Sequence, residues 1–177
     1  MHERPPEGLV ATFVVRRASA ADAEHLGAMR AASHAERYDN DPRREAEFRA
    51  ACQEFFAREL TRPDPFLRSW LAFEAGDSGR ALGSATLSLV PTLPRMRDAG
   101  PLLDARVRSV YVVPEARRRG VARSLMLVLM DDVRELGINR LTLGASSMGR
   151  PLYELLGFVP KSDEMVFEGP GSGLTSF

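Results

Sequence analysis

A chain of 177 residues, 44% hydrophobic and 27% charged, is long enough for one soluble domain with a substantial core. Its 24 basic residues balance 24 acidic ones, which excludes the global positive field that draws a protein to nucleic acid or anionic lipid. Cys52 is the only cysteine, so an internal disulfide and a cysteine-based zinc site are excluded as well.

Lys161 is the only lysine, and so strong a preference for arginine reads as the mark of a GC-rich, bacterial genome. His2, His25 and His34 show no ligand spacing beside carboxylates, so no metal is expected. The opening MHERPPEGLV lacks the apolar centre of a secretory signal, and no apolar run reaches membrane-spanning length. A cytoplasmic protein with no membrane partner is the expectation.

Residues 1–8 read as a loose tail broken by Pro5, Pro6 and Gly8. ATFVVRRA, residues 11–18, predicts a short strand. Ser19 then looks like a helix N-cap with Asp22 and Glu24 in the first turn, and Ala23, Leu26, Met29 and Arg30 follow at helical spacing until about Tyr38. The polar YDNDPRR, residues 38–44, predicts a turn. From about Arg43 a second helix places Phe48, Ala51, Cys52, Phe55 and Phe56 on one face, and it must end before Arg62-Pro63. SWLAFEA (69–75) and ALGSATLSLV (81–90) flank the turn signal GDSGR and predict a hairpin. Three prolines and a glycine make residues 91–104 a loop. ARVRSVYVV, residues 105–113, reads as a central strand. Between Gly120 and Leu136, the positions Val121, Leu125, Val128, Leu129, Val133 and Leu136 mark an amphipathic helix closed by Gly137. NRLTLGAS (139–146) is a strand, GRPLYELLGF a short helix stopped by Gly157, FVPKSDEMVFEG one or two closing strands, and residues 169–177 a second tail. No repeat or second domain is visible. The order predicts one α/β domain built on a mixed sheet.

The strand-to-helix turn carries the chemistry. VYVVPEARRRGVAR, residues 110–123, places a glycine and small Ala122 at a helix start, where unsatisfied amides and the helix dipole favour an anion. Gly120 permits close approach of a diphosphate, and Arg117, Arg118, Arg119 and Arg123 add counter-charge. A solvated run of arginines is the bland alternative. Neither a Walker-type G-x-x-x-x-G-K-[ST] nor a G-x-G-x-x-G after a strand is present, which removes the nucleoside triphosphate and dinucleotide readings.

RRRGVA, residues 117–122, resembles the [QR]-x-x-G-x-[GA] motif of GNAT N-acetyltransferases. VYVVPE before it resembles their central strand and bulge, and ASSMGRPLYELLGF, residues 145–158, resembles their second signature. The resemblance implies a mostly antiparallel mixed sheet with splayed central strands, about four flanking helices, and acetyl-CoA as co-substrate. It implies that backbone of Val110, Tyr111 and Val112 lines the pantetheine and thioester. It likewise implies that Arg117, Arg118, Arg119, Gly120, Val121, Ala122 and Arg123 hold the pyrophosphate. Tyr153 matches the tyrosine that protonates the departing thiolate, a sensible partner for a thiol of pKa ~8.5. Ser146 stands where many relatives carry an asparagine that contacts the coenzyme, and Gly149 where alanine is common.

The acceptor amine must also lose a proton, which costs about 4.6 kcal/mol at pH 7 for a lysine-like amine. Glu74, Asp104, Glu115 and Glu164 are candidate bases, and Ser109 could order a water. Acceptor choice is expected from the first two helices, the turn between them and the 91–104 loop. There Glu36, Asp39 and Asp41 could attract a cation, and Arg95 and Arg97 a carboxylate. The acceptor is a small-molecule or peptide amine. The rival reading is a non-catalytic module that binds acyl-CoA as a regulator. The resemblance also implies a homodimer, for which FVPKSDEMVFEG could supply an edge strand.

Overall fold

Ser19 and Asp22 cap each other: the Ser19 amide and hydroxyl both donate to the Asp22 carboxylate, at 2.8 and 3.1 Å, within a capping box. Behind this cap a 3-10 turn, Ala20–Asp22, leads into α1, Ala23–Ala35. The computed structural model describes residues 13–38, 41–94 and 102–161, which fall into two units, one within Met1–Gly144 and one within Ala145–Phe177.

In the first unit, strands β1 (Phe13–Arg17), β2 (Leu67–Glu74), β3 (Asp77–Pro91), β4 (Leu103–Val112) and β5 (Leu141–Leu143) form one sheet in sequence order. Every neighbouring pair is antiparallel except β4 and β5, which run parallel. Mixed topology, as the pattern predicted, is therefore observed. Helix α2, Pro42–Thr61, lies beside α1. Both cover one face of the sheet, where Leu26, Met29 and Phe56 meet Leu67, Leu71, Phe73 and Tyr111 in a buried cluster. Strand alternation turns Arg68 to the opposite face, where its Nη1 donates to both carboxylate oxygens of Asp132 at 2.8 Å. Asp132 belongs to α3, Val121–Glu135, which covers that second face with Val121, Leu125, Met126, Leu129 and Val133. Leu125, Met126 and Leu129 are fully shielded from solvent, and truncating any one to alanine would cost about 2–5 kcal/mol. The helix whose first turn matters chemically is thus firmly fixed. Its other end closes as expected at Gly137, whose N–H donates to Arg134 C=O at 2.9 Å while Ile138 N–H donates to Val133 C=O at 3.1 Å.

Three boundaries differ from expectation. Helix α2 starts inside the polar run read as a turn, because Asp41 accepts from the Arg43 amide as N-cap and Pro42 occupies the first helical position. The hairpin turn is tighter than GDSGR: Glu74 pairs with Asp77 across Ala75-Gly76, and the remaining residues enter β3 through a register shift. Strand β5 is short, three residues where eight were expected.

In the second unit, α4 spans Arg150–Leu155. Ser146 starts it by accepting the Gly149 amide at both its carbonyl (3.1 Å) and its hydroxyl (3.2 Å). Gly157 ends it, with Phe158 N–H donating to Tyr153 C=O at 2.9 Å and the two rings 6.0 Å apart. The expected closing strands and both tails lie outside the described residues, apart from the start of the closing segment, which has no regular structure up to residue 161.

Candidate active site

Strand β5 pairs with only the first part of β4. Pairing runs from Ala105↔Leu141 to Val107↔Leu143 and stops, whereas β4 continues to Val112. A bulge sits at the same point, since β3 pairs Leu87 with Val107 and then Thr86 with Ser109, leaving Arg108 as the extra residue. The bulge changes which residues face outward. Ala105 N–H donates toward β5, to Arg140 C=O, but beyond the bulge Val113 N–H donates to Leu82 C=O in β3. Alternation therefore turns the main-chain groups of Tyr111 toward β3 and those of Val110 and Val112 toward the open side. β3 comes very close here: a Cβ on Gly83 would stand 2.6 Å from Tyr111 O.

Beyond β4 a 3-10 turn, Pro114–Ala116, and the arginine run lead into α3. Arg118 (φ 58°) and Gly120 (φ 83°) both adopt left-handed backbone. The first main-chain bond of α3 is Ser124 N–H to Gly120 C=O, and among the described residues no side chain caps the helix start. Helix geometry then leaves the amides of Val121, Ala122 and Arg123 without intrahelical acceptors. Among the described residues nothing lies within 4 Å of where a Cβ on Gly120 would stand. Open space, left-handed backbone and unspent amides together suit an anionic group.

The arginines are less alike than their sequence suggests. Arg117 braces the turn. Its Nε donates to Val112 C=O at 3.1 Å, its Nη2 to both Glu36 oxygens at 2.5 and 2.7 Å, and its guanidinium lies 5.9 Å over the Tyr111 ring. Tyr111 Oη donates to the same carboxylate at 2.9 Å. Burial, helped by Glu36, pushes the Tyr111 phenol up to about 12. The Glu36 carboxylate is thus engaged by its own chain, a correction to its reading as a lure for a cationic acceptor. Arg119 donates to Glu74 at 2.6 Å, and each side chain stabilises the charge of the other, with the Glu74 carboxyl held below its ordinary range by this guanidinium. A carboxylate so held is poorly suited to take a proton at neutral pH. Arg118 and Arg123 are the members of the run with no acidic partner among the described residues.

A family model described as the acetyltransferase (GNAT) family matches residues 28–158. The chain belongs to the GNAT family. Among solved structures, a GCN5-related N-acetyltransferase of Ralstonia eutropha JMP134 aligns over 90% of this GNAT chain and 99% of its own, with 24% identity and a TM-score of 0.74. A predicted acetyltransferase of Clostridium acetobutylicum with acetyl-CoA aligns over 88% and 96%, with 19% identity and a TM-score of 0.73. These likenesses establish the fold. A curated glucosamine 6-phosphate N-acetyltransferase of Trypanosoma brucei brucei is 32% identical over 81 residues, 46% of this chain, and the match spans about half of that relative, 52%.

The other GNAT candidates fall at several places. Among the possible bases, Glu115 is exposed beside Arg80 at 3.6 Å and Asp104 lies 4.0 Å from Arg140. Ser109 stands opposite Thr86, whose hydroxyl shares a hydrogen bond with buried Ser69 at 3.0 Å. Asp41 serves as a helix cap. Asp39, Arg95, Arg97 and Glu164 lie outside the described residues. In the second unit, a Cβ on Gly149 would stand 3.0 Å from the Tyr153 ring and 3.3 Å from Ser146 Oγ, so a larger residue here would crowd that tyrosine. Among the described residues no cluster of three or more metal-binding side chains occurs, and no helix is long and apolar enough to cross a membrane.

Two residues of interest escaped the sequence reading, Glu36 as the partner of Arg117 and Arg108 as the bulge. Neither role has a local signal. The first pair is separated by 81 residues, and a bulge exists only relative to a partner strand.

Proposed function

We propose that the chain transfers an acetyl group from acetyl-CoA to a primary amine, by direct attack in a ternary complex. The observation that supports this most is the stretch of β4 that runs on past the end of β5 and leads to a helix start with left-handed Gly120. The group fits: a diphosphate finds free amides and a glycine with no neighbour over it. The acetyl-CoA named for the Clostridium relative agrees with this choice.

Acetyl-CoA would supply an activated thioester. Main-chain groups of Val110 and Val112 face away from β3, with Val112 C=O taken by Arg117; the two N–H groups and Val110 C=O, which have no partner among the described residues, would meet the coenzyme arm. Amides from Arg118 to Arg123 hold the pyrophosphate, with Arg118 and Arg123 as counter-charges. Arg117 and Arg119 act on the same turn by bracing it. The amine would form the N–C bond as the C–S bond breaks, and Tyr153, by its match to the family's tyrosine, is the candidate to give a proton to the departing sulfur. The proton lost by the amine leaves through water, because Glu74 is committed to Arg119.

Titration with acetyl-CoA, followed by turnover on an amine panel for wild type and Tyr153→Phe, tests the reading. Retained coenzyme binding with kcat lowered about 100-fold or more agrees with an acid at this position. Coenzyme binding with no turnover by wild type on any amine would favour the regulatory module. Absence of coenzyme binding would refute both.

A further inference from the structure

We propose that Arg108 binds the anionic oxygen group, phosphate or carboxylate, of a small amine acceptor. This rests on the acetyl-transfer reading above and names its substrate class.

The bulge makes Arg108 unlike the other arginines. Cross-strand partners share a face, so Ser88, Thr86 and Ser84 of β3 lie on the α1–α2 side with Leu67, Ser69 and Leu71. The Nε of Arg108 donates to Ser88 Oγ at 2.8 Å, which puts its side chain on that side too. Ser88 is 2% exposed, and its own hydroxyl donates on to Arg106 C=O at 3.4 Å. One end of the guanidinium is therefore anchored to a buried group, while the residue itself is exposed. Among the described residues no carboxylate lies within ion-pair distance of Arg108, in contrast to Arg16, Arg68, Arg117 and Arg119. The two Nη groups keep a fork suited to bidentate recognition of carboxylate or phosphate.

Position adds the second half of the argument. Arg108 is the residue at which β5 leaves β4, beside the stretch of β4 assigned to the thioester. Ser88, its anchor, lies three residues along β3 from Ala85, the partner of Val110, a distance of about 10 Å at strand spacing. An anion held at the guanidinium therefore leaves roughly 6–10 Å for an acceptor to span before its amine reaches the Val110 level. A phosphorylated amino sugar or an amino acid with a terminal amine has this length; ammonia-sized amines and polycations do not meet the requirement.

The test uses the full chain saturated with CoA for binding and with acetyl-CoA for turnover. Glucosamine 6-phosphate is compared with glucosamine, and lysine with lysinamide, so that the phosphate and carboxylate arms are read separately. At least one anionic member should bind 10-fold or more tightly than its neutral counterpart. Arg108→Gln should remove that preference, Arg108→Lys should restore part of it, and Ser88→Ala should weaken it less. Coenzyme affinity should stay within twofold in all three variants. A panel on which wild type and Arg108→Gln are indistinguishable, including one with no response to any amine, overturns the proposal. Loss of coenzyme binding by wild type would instead refute the acetyl-transfer reading.

Discussion

Glu36→Gln probes the brace between the end of α1 and the strand-to-helix turn. The substitution keeps the shape of the side chain and removes the charge that accepts from Tyr111 Oη and twice from Arg117. Charge-assisted bonds exceed neutral ones by about 1 kcal/mol each, but Glu36 and Arg117 are about one-third exposed, so a loss near 1–2 kcal/mol is expected. For a domain of this size, that lowers Tm by about 2–8 °C. Tyr111 gives a second readout. Its phenol is raised from 10.0 to about 12, so the fold prefers the protonated form. Because the folded value is the higher one, this stability is fully present below pH 10 and disappears as pH rises toward 12. Burial is the larger cause and Glu36 the next, so Glu36→Gln should move the midpoint down while leaving it above 10. Ultraviolet titration of tyrosinate, with Tyr38→Phe and Tyr153→Phe backgrounds, reads this directly. An unmoved Tyr111 midpoint with unchanged Tm would refute the brace.

Asp22→Asn should cost about 2–4 kcal/mol, because Asp22 is buried, holds Arg16 through two bonds of 2.6 and 2.9 Å, and completes the cap with Ser19. Arg16 holds the Asp22 carboxyl far below its ordinary range, so wild-type stability should fall as pH drops below about 4 and the variant should lose this slope; acid titration followed by circular dichroism checks both. Gly120→Asp should reduce acetyl-CoA affinity at least 100-fold in calorimetry, by placing a negative charge at the open helix start, while left-handed backbone costs the fold about 1 kcal/mol. Gly83→Ala should cost about 1–3 kcal/mol by forcing β3 away from Tyr111 O, and an unchanged melting temperature would contradict that close approach.

Regular elements were legible where local chemistry decides them. Ser19, Arg62-Pro63 and Gly137 marked real helix ends because caps and prolines act within a few residues. Asp41-Pro42 carried an equally local start signal, which was hidden inside a run that also reads as a turn. Strand β5 was read too long although its end was legible: past Leu143 come Gly144, Ala145 and Ser146, which have little β-forming character, and pairing with β4 stops there. The arginine run showed positive charge but not its distribution. Glu36 and Glu74, which take up Arg117 and Arg119, are contributed by elements far away in the chain.

Where β5 stops, β4 keeps main-chain groups with no strand beside them among the described residues, and the proposed coenzyme site is built on that missing pairing. Most binding hollows are carved by the choice of side chains, and a few substitutions can fill them. This one is a length of strand edge: among the described residues, β4 beyond Val107 has a partner on its β3 side alone. A guest there meets the same peptide groups whatever residues flank them. Its neighbours on the α1–α2 face are consequently free to diverge without altering how the guest is received.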